Sequence, residues 1–479
     1  MKKITLFLIS LCICFSADIH AQGKRSSIPL KHGAHRTGKR TDPEMQRWRE
    51  HGLGQFIHWG LYSIPGGFWK GQYYDYAAEQ IRSWDLVPNE EYDNLCNEFN
   101  PTAFDARKWA RQAKEMGARY LIFTTKHHDG FCMWPSKYTD FTIANSPYKK
   151  DIVKQVVDAY NREGIDVILY FSIMDWHHPD FRGSINNPED SLANERFKQF
   201  TRNQLLELVT NYPTLKGLWF DGTWHAAWKQ EAEFADNLEK ELRILKPDLI
   251  IGSRFRPDDY GKRGTDSNGD LMGDYEQGWE RDLPNSKEEL YGNDWDCVMT
   301  IPENQWGYHS EWKGYVKTAY DLIEMLVKSV SMDGNFVLNF GPDSKGNIRP
   351  EETRIAGEIG KWMKTNNEAI YACTASELKP QGWGYFTQKE NKLYLTVFNR
   401  PINNRVKFEV PKGTIKIRKA YLLADKREMD IIDGGRNKKD DLLYQIAIPK
   451  GFTPDQPFVI VIELEDNRND KNQYQQALT

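Results

Sequence analysis

Short apolar runs alternate with amphipathic stretches along most of this chain. Gln55–Trp59, Arg119–Thr124, Val167–Ser172, Gly217–Asp221, Leu249–Arg254 and Phe336–Phe340 are rich in Ile, Leu, Val, Phe and Tyr. Several are continuous rather than alternating, which predicts strands buried on both faces of a parallel sheet. Helical spacing fills the intervals Ala103–Met116, Asp151–Arg162, Glu195–Val209, Gln230–Leu245 and Val316–Val330. In the first, Trp109, Ala113 and Met116 share a face and Gly117 supplies the stop; in the second, Ile152, Val156, Val157 and Tyr160 do so before Gly164. Strand–helix units repeated over more than 300 residues predict an α/β fold, a (β/α)8-like (TIM) barrel. Ser253–Pro302 follows neither period and reads as loop.

The pattern changes after Tyr371. Lys392–Phe398 and Val406–Val410 turn to the strand period, and Phe458–Leu464 is β-rich, so an all-β sandwich is expected at the C-terminal end. The expected organisation is a barrel over 47–371, a sandwich over 372–466 and a polar tail over 467–479. At the other end, Lys2 and Lys3 precede an apolar run from Ile4 to Ala17, with Ala21 at a plausible cut before Gln22. This reads as a signal peptide over 1–21 and an extension over 22–46, and hence as a protein exported to the periplasm or the extracellular space. The run is shorter than the ~20 residues of a membrane span, and no later stretch is long and apolar enough.

Composition narrows the functional classes. Of 479 residues, 64 are basic and 68 acidic, a near-balance that gives no concentrated basic surface for nucleic acid. Cys96, Cys132, Cys297 and Cys373 are far apart with no C-x-x-C spacing, which reads as buried free thiols rather than a zinc site or a disulfide.

Polar residues of catalytic type follow directly on the strand runs. His58 follows Gln55–Ile57; His127, His128 and Asp129 follow Leu121–Lys126; Asp221 closes Gly217–Phe220; Arg254 closes the run from Leu249. Strand ends of a barrel converge on one rim, where such sites are built. One histidine there would be unremarked structure; four strand ends doing the same thing point to a site. Histidines, Trp, Glu and Arg around an Asp suit a sugar, and Asp221 has the position for a carboxylate that attacks an anomeric carbon. A metal hydrolase is the rival reading of His127-His128. Neighbours on a strand point to opposite faces, so they chelate one ion poorly unless the strand has ended, and no H-E-x-x-H motif is present.

Five segments occur in order: Phe56-Ile57-His58-Trp59-Gly60-Leu61-Tyr62-Ser63, Thr125-Lys126-His127-His128-Asp129-Gly130-Phe131, Trp219-Phe220-Asp221-Gly222, Trp306-Gly307-Tyr308, and Gly334-Asn335-Phe336-Val337-Leu338-Asn339-Phe340-Gly341-Pro342. Together they resemble the α-L-fucosidases of glycoside hydrolase family 29. That resemblance implies a retaining, exo-acting hydrolase of fucosylated glycans that needs no metal or other cofactor. It implies Asp221 as nucleophile and His58, Glu79, His127, His128, Trp219 and Arg254 as sugar-binding residues. Gln80 departs from the Trp that usually follows the family's glutamate. Tyr170 lies where the family often has paired tyrosines.

The general acid/base is open among three carboxylates. Glu280 best matches the family position, Glu276 lies four residues earlier, and Asp296 stands where many members have Glu. The acid must be protonated before attack, and Trp279 beside Glu280 is a candidate for the apolar surroundings that would raise its pKa. Phe220, Trp224 and Trp306 are candidates for the apolar patch facing the 6-methyl of fucose. A fucose-binding protein without catalysis, or a hydrolase of a related sugar, remains the alternative.

Overall fold

The structure is a computed structural model that describes residues 36–83, 86–256, 265–266, 269–452 and 454–465. The expected signal peptide and polar tail lie outside the described residues, as does most of the extension.

Eight parallel strands form the first sheet: β1 (Leu53–Ile57), β2 (Tyr120–Lys126), β3 (Asp166–Ser172), β4 (Gly217–Asp221), β5 (Ile250–Ile251), β6 (Glu276–Glu280), β7 (Trp295–Thr300) and β8 (Gly334–Phe340). They are hydrogen-bonded in the order β5-β4-β3-β2-β1-β8-β7-β6. The two ends meet as well. Asp274 N–H donates to Ile251 O at 2.7 Å and Ser253 N–H to Tyr275 O at 3.1 Å, which bridges β5 to the start of β6 and closes the barrel.

The stretch read as loop, Ser253–Pro302, therefore contains two barrel strands. The apolar signal fails there because β6 and β7 bury polar side chains, among them Glu276, Gln277 and Asp296. Conversely, the run from Leu249 gives only two strand residues before Ser253–Phe255 turn into a 3-10 helix.

Among the described residues, the longer helices around the strands are α1 (Ala106–Met116), α2 (Ile152–Arg162), α3 (Pro188–Asn211), α4 (Ala232–Leu245), α5 (Ala319–Val330) and α6 (Pro350–Asn366). Their starts are set by caps. The Asp105 carboxylate accepts from Arg107 and Lys108 N–H, Asp151 from Lys154 N–H, and Thr318 forms a capping box with Asp321. Asn187 caps α3 ahead of Pro188, so that helix begins well before the expected Glu195. Helix α6, absent from the periodicity reading, buries Ile355, Ile359, Trp362 and Met363.

The C-terminal part is all β. Strands β9 (Thr374–Ala375), β10 (Gly384–Lys389), β11 (Lys392–Val397), β13 (Ile417–Leu422), β14 (Glu428–Met429) and β17 (Phe458–Leu464) form one sheet in the order β9-β10-β11-β17-β13-β14. β12 (Arg405–Val410), β16 (Leu442–Ala447) and β15 (Ile431–Arg436) form the second, in that order. Phe386, Leu395, Val406, Phe408, Ile446 and Ile460 fill the space between them as a core separate from the barrel's. In β12 every second residue is buried, the pattern of a sheet with one wet face. Trp362 Nε1–H donates to Pro457 O at 2.8 Å and Thr387 Oγ–H to Ala369 O at 2.7 Å, tying this sandwich to the barrel. Cys96, Cys132, Cys297 and Cys373 are buried and unpaired.

Candidate active site

Because the barrel strands are parallel, their C-terminal ends share one rim, and the residues singled out by sequence gather there. A pocket of about 400 Å³, mouth included, is lined by His58, Glu79, His127, His128, Trp219, Asp221 and Glu280, with Phe56, Gln80, Trp224 and Trp306 completing it. Asp221 and Glu280 keep 14% and 25% of their side chains exposed, whereas His58, Glu79, His127, His128 and Trp219 around them are nearly fully buried.

Asp221 ends β4 and is held at both oxygens. Tyr170 O–H donates to Oδ2 at 2.9 Å, and Arg254 Nη1–H donates to Oδ1 at 3.1 Å. Tyr170 can reach because it pairs in register with Trp219, on whose ring it stacks at 5.3 Å. The next residue has to be glycine: Gly222 has φ +70°, and a Cβ there would lie 2.6 Å from Met174 Cβ and 2.7 Å from its nitrogen. The Trp-Phe-Asp-Gly motif is thus a wall, a core residue, an acid and a turn. Phe220 points to the outer side of the barrel against Phe255, 4.2 Å between centroids, so it does not line this pocket.

Arg254 joins the two carboxylates. Its Nη2–H donates to Glu280 Oε2 at 2.8 Å while Nη1 holds Asp221, so both acids sit on one guanidinium. Its guanidinium also lies over the Trp219 ring at 5.2 Å. Burial works to raise the Glu280 carboxyl, but the charge and hydrogen bond of Arg254, with Arg281, bring it below the ordinary glutamate value. Trp279 is not the apolar neighbour expected beside it. As an adjacent strand residue it faces the other way, toward Trp295.

The other two acid candidates lie below the rim. Glu276 opens β6 and Glu280 closes it across a bulge between Gln277 and Trp279, roughly 10 Å apart along the strand. Asp296 is the second residue of β7, is buried, and lies against Trp219 and Tyr275. Burial pushes its carboxyl up to about 8, against the pull of Arg254. Neither lines the pocket.

The histidines are acceptors aimed at a ligand. Asn339 Nδ2–H donates to Trp306 O at 2.7 Å, which turns Asn339 Oδ1 toward His58 Nδ1 at 2.7 Å. His58 must therefore donate from Nδ1, and with burial lowering it to about 3 it is neutral and leaves Nε2 as an acceptor. Likewise, Ser172 Oγ–H donates to Met174 O at 2.6 Å, so Ser172 accepts from His128 Nδ1–H at 2.6 Å. His128 Nε2 then faces the pocket, 3.6 Å from Asp221 Oδ2. His127 and His128 line the same pocket despite being sequence neighbours because β2 has ended at Lys126. Burial lowers both imidazoles, His127 the further.

Glu79 is fully enclosed. Its Oε2 accepts Gly307 N–H at 2.8 Å, and burial pushes the carboxyl up to about 7. A Cβ on Gly307 would lie 2.8 Å from the Tyr62 ring, which explains the glycine of Trp-Gly-Tyr. Other motif residues are supports. Asp129 accepts from Tyr92 O–H at 2.8 Å, Lys126 pairs with Asp175 at 3.0 Å, and Asn335 holds Gly52 N–H at 2.8 Å.

Sequence reasoning missed Phe56, and left the direction of Tyr170 unassigned. Phe56 stands two residues before His58 and so on the same strand face, a signal available from alternation alone. Ser172 pairs in register with Asp221, which no reading of one strand could show.

The geometry has close counterparts among known proteins. A family model described as alpha-L-fucosidase matches residues 26–368. A GH29 α-L-fucosidase of known structure from Bacteroides thetaiotaomicron is 50% identical, with a TM-score of 0.87 over 92% of this chain and 99% of its own. The same organism's enzyme has been crystallised as a trapped covalent intermediate with 2-fluoro-fucosyl fluoride, using a Glu-to-Gln mutant. Rat plasma alpha-L-fucosidase is 28% identical over 86% of this chain and 85% of its own length. With its site residues on the rim of a matching barrel, this chain belongs to the α-L-fucosidases of glycoside hydrolase family 29.

Proposed function

We propose that this protein is an exo-acting, retaining α-L-fucosidase that hydrolyses terminal α-L-fucose from oligosaccharides or glycoconjugates. The observation that carries the reading is the bridge through Arg254, which holds a strand-end aspartate and a second carboxyl on one guanidinium in a pocket the size of one sugar. Retention requires two carboxyl groups about 5–5.5 Å apart, a spacing within reach of two acids sharing one guanidinium.

An Asp221 oxygen attacks C1, and Glu280 gives its proton to the departing glycosidic oxygen. Water then attacks the glycosyl ester, losing its proton to Glu280 and freeing Asp221 and fucose. Tyr170 and Arg254 steady the attacking carboxylate, and the neutral His58 and His128 accept hydrogen bonds from sugar hydroxyls. Phe56 and Trp306 give the pocket an apolar side suited to the 6-methyl. Trapping of a covalent intermediate in the Bacteroides thetaiotaomicron enzyme supports the same chemistry here. Export to the periplasm or the extracellular space, read from residues 1–21, belongs to the same proposal, and cell fractionation checks it.

Azide rescue tests the assignment. Asp221→Gly should be inactive on an aryl α-L-fucoside and recover turnover in azide with β-fucosyl azide as product. Wild-type rates in Asp221→Gly without azide would refute it.

A further inference from the structure

We infer that the buried Lys126–Asp175 ion pair, which lies outside the catalytic pocket, is a positioning pair that fixes which nitrogen of His128 carries the proton; the inference rests on the fucosidase reading above. Lys126 Nζ donates to Asp175 Oδ2 at 3.0 Å, and neither side chain is more than 2% exposed. Taking two charges out of water costs about as much as their attraction returns, and apolar residues of similar volume often serve stability as well. The pair is better explained by what it orients.

A bulge delivers the lysine. β2 and β3 pair Thr124 with Tyr170 and then Lys126 with Phe171, so Thr125 is an extra residue. In an unbroken strand Lys126 would share the face of Tyr120 and Ile122, which pack in the barrel interior. The bulge turns it to the outer side instead, over the Phe171 ring at 4.3 Å.

From there a ring of contacts leads back to His128. Asp175 Oδ1 accepts His177 and His178 N–H at 3.1 and 2.9 Å, and Gly130 leaves it room, since a Cβ there would lie 2.3 Å from that oxygen. Ile173 N–H donates to Asp221 O at 2.9 Å and Trp176 N–H to His128 O at 2.7 Å, so the Met174–Asp175 peptide is pinned on both sides. Met174 O accepts from Ser172 Oγ–H at 2.6 Å, which leaves Ser172 Oγ to accept from His128 Nδ1–H at 2.6 Å. The ring begins and ends in one segment, Lys126-His127-His128. Without the Asp175 anchor the Met174 carbonyl is free to turn away, the Ser172 hydroxyl donates to Nδ1, and the imidazole proton moves to Nε2. That nitrogen lies 3.6 Å from Asp221 Oδ2. Protonated, it would aim a donor at the attacking carboxylate and would no longer accept from a sugar hydroxyl.

The test removes both charges together. Lys126→Met combined with Asp175→Ala leaves no unpaired ion in the interior. In 15N spectra of histidine-labelled protein, the His128 signals are those lost in His128→Gln. They should show a bare Nε2 in the wild type and a protonated one in the double variant. On an aryl α-L-fucoside the double variant should lose about tenfold in kcat/KM, and Ser172→Ala a similar factor. Combined, they should lose no more than either alone, because both break one relay. Losses that multiply would overturn the relay, as would an unchanged His128 tautomer or wild-type kcat/KM in the double variant. If the double variant does not fold, Ser172→Ala decides: wild-type tautomer and kcat/KM overturn the inference, and a shift in both supports it. A wild-type enzyme inert on the fucoside would overturn the fucosidase reading, while the spectra still decide what the ion pair does to His128.

Discussion

Arg254 donates to Glu280 at 2.8 Å and so opposes the protonation state that an acid catalyst needs. Burial alone would favour a neutral Glu280, but the guanidinium favours its carboxylate. A sugar entering between Asp221 and Glu280 excludes water and competes for Arg254. Both effects move Glu280 upward, so the substrate itself prepares the acid.

This gives a signed pH prediction. The basic limb of kcat/KM reports the acid in the free enzyme, and that of kcat reports it in the complex. A carboxyl raised on binding keeps its proton to higher pH, so the kcat limb should lie at higher pH than the kcat/KM limb. Profiles on a fucosyl disaccharide check this, and coincident limbs would refute it.

The three acid candidates separate by mutation. Glu280→Ala should lose roughly a hundred- to ten-thousand-fold on a disaccharide, and much less on fucosyl fluoride, whose leaving group needs little proton transfer. Glu276→Gln and Asp296→Asn should stay within about tenfold of wild type on both, since neither residue lines the pocket.

Tyr170→Phe isolates one support of Asp221, the proposed nucleophile. It deletes the O–H donated to Asp221 at 2.9 Å and keeps the ring stacked on Trp219. Hydrogen bonds to charged groups are worth about 1.5–3 kcal/mol, so kcat should fall by roughly ten- to a hundredfold with little change in Tm. An unchanged kcat would show that Arg254 alone suffices.

Asp296 makes stability depend on pH. In the unfolded chain it loses its proton near the ordinary aspartate value, whereas burial keeps it protonated up to about 8 when folded. Between those limits the folded state binds the extra proton, so this group costs about 1.4 kcal/mol of stability per pH unit as pH rises. Asp296→Asn cannot titrate. The stability difference, variant minus wild type, should therefore climb from pH 5 to pH 8 in denaturant unfolding, and a flat difference would exclude a neutral Asp296.

The legible parts of this protein were those where apolar periodicity and site chemistry coincide. β1 to β4 and β8 could be read because their runs are almost wholly apolar, and His58, His127, His128 and Asp221 because each follows such a run. β6 and β7 were illegible for the opposite reason: Glu276, Gln277 and Asp296 are buried in them, Asp296 against Trp219 and Tyr275, and charge in a strand looks like loop. The choice of Glu280 among the acids rested at the same place on family likeness alone. Glu276 and Glu280 differ by four positions in sequence, which becomes the full height of a strand only once that strand is recognised. Trp279 misled because adjacency in sequence means opposition in a strand.

The closure of the barrel has a mechanical consequence. Between β5 and β6 no lateral strand pairing is present among the described residues, and the seam is crossed by the two backbone bonds at Ile251 and Ser253 together with side-chain bonds, Ile251 N–H to Asp274 at 2.8 Å and Arg254 to Glu280 at 2.8 Å among them. Asp274 reinforces that seam from below, gathering Arg36, Arg40 and Arg243 at 2.7–3.0 Å. Arg254 stands on one lip and Glu280 on the other, while Asp221 and Tyr170 stand on continuous sheet. Warming should part the lips before the rest of the barrel melts. Activity should then vanish some degrees below the calorimetric transition, with Asp221 and Glu280 drawn apart while the protein is still folded.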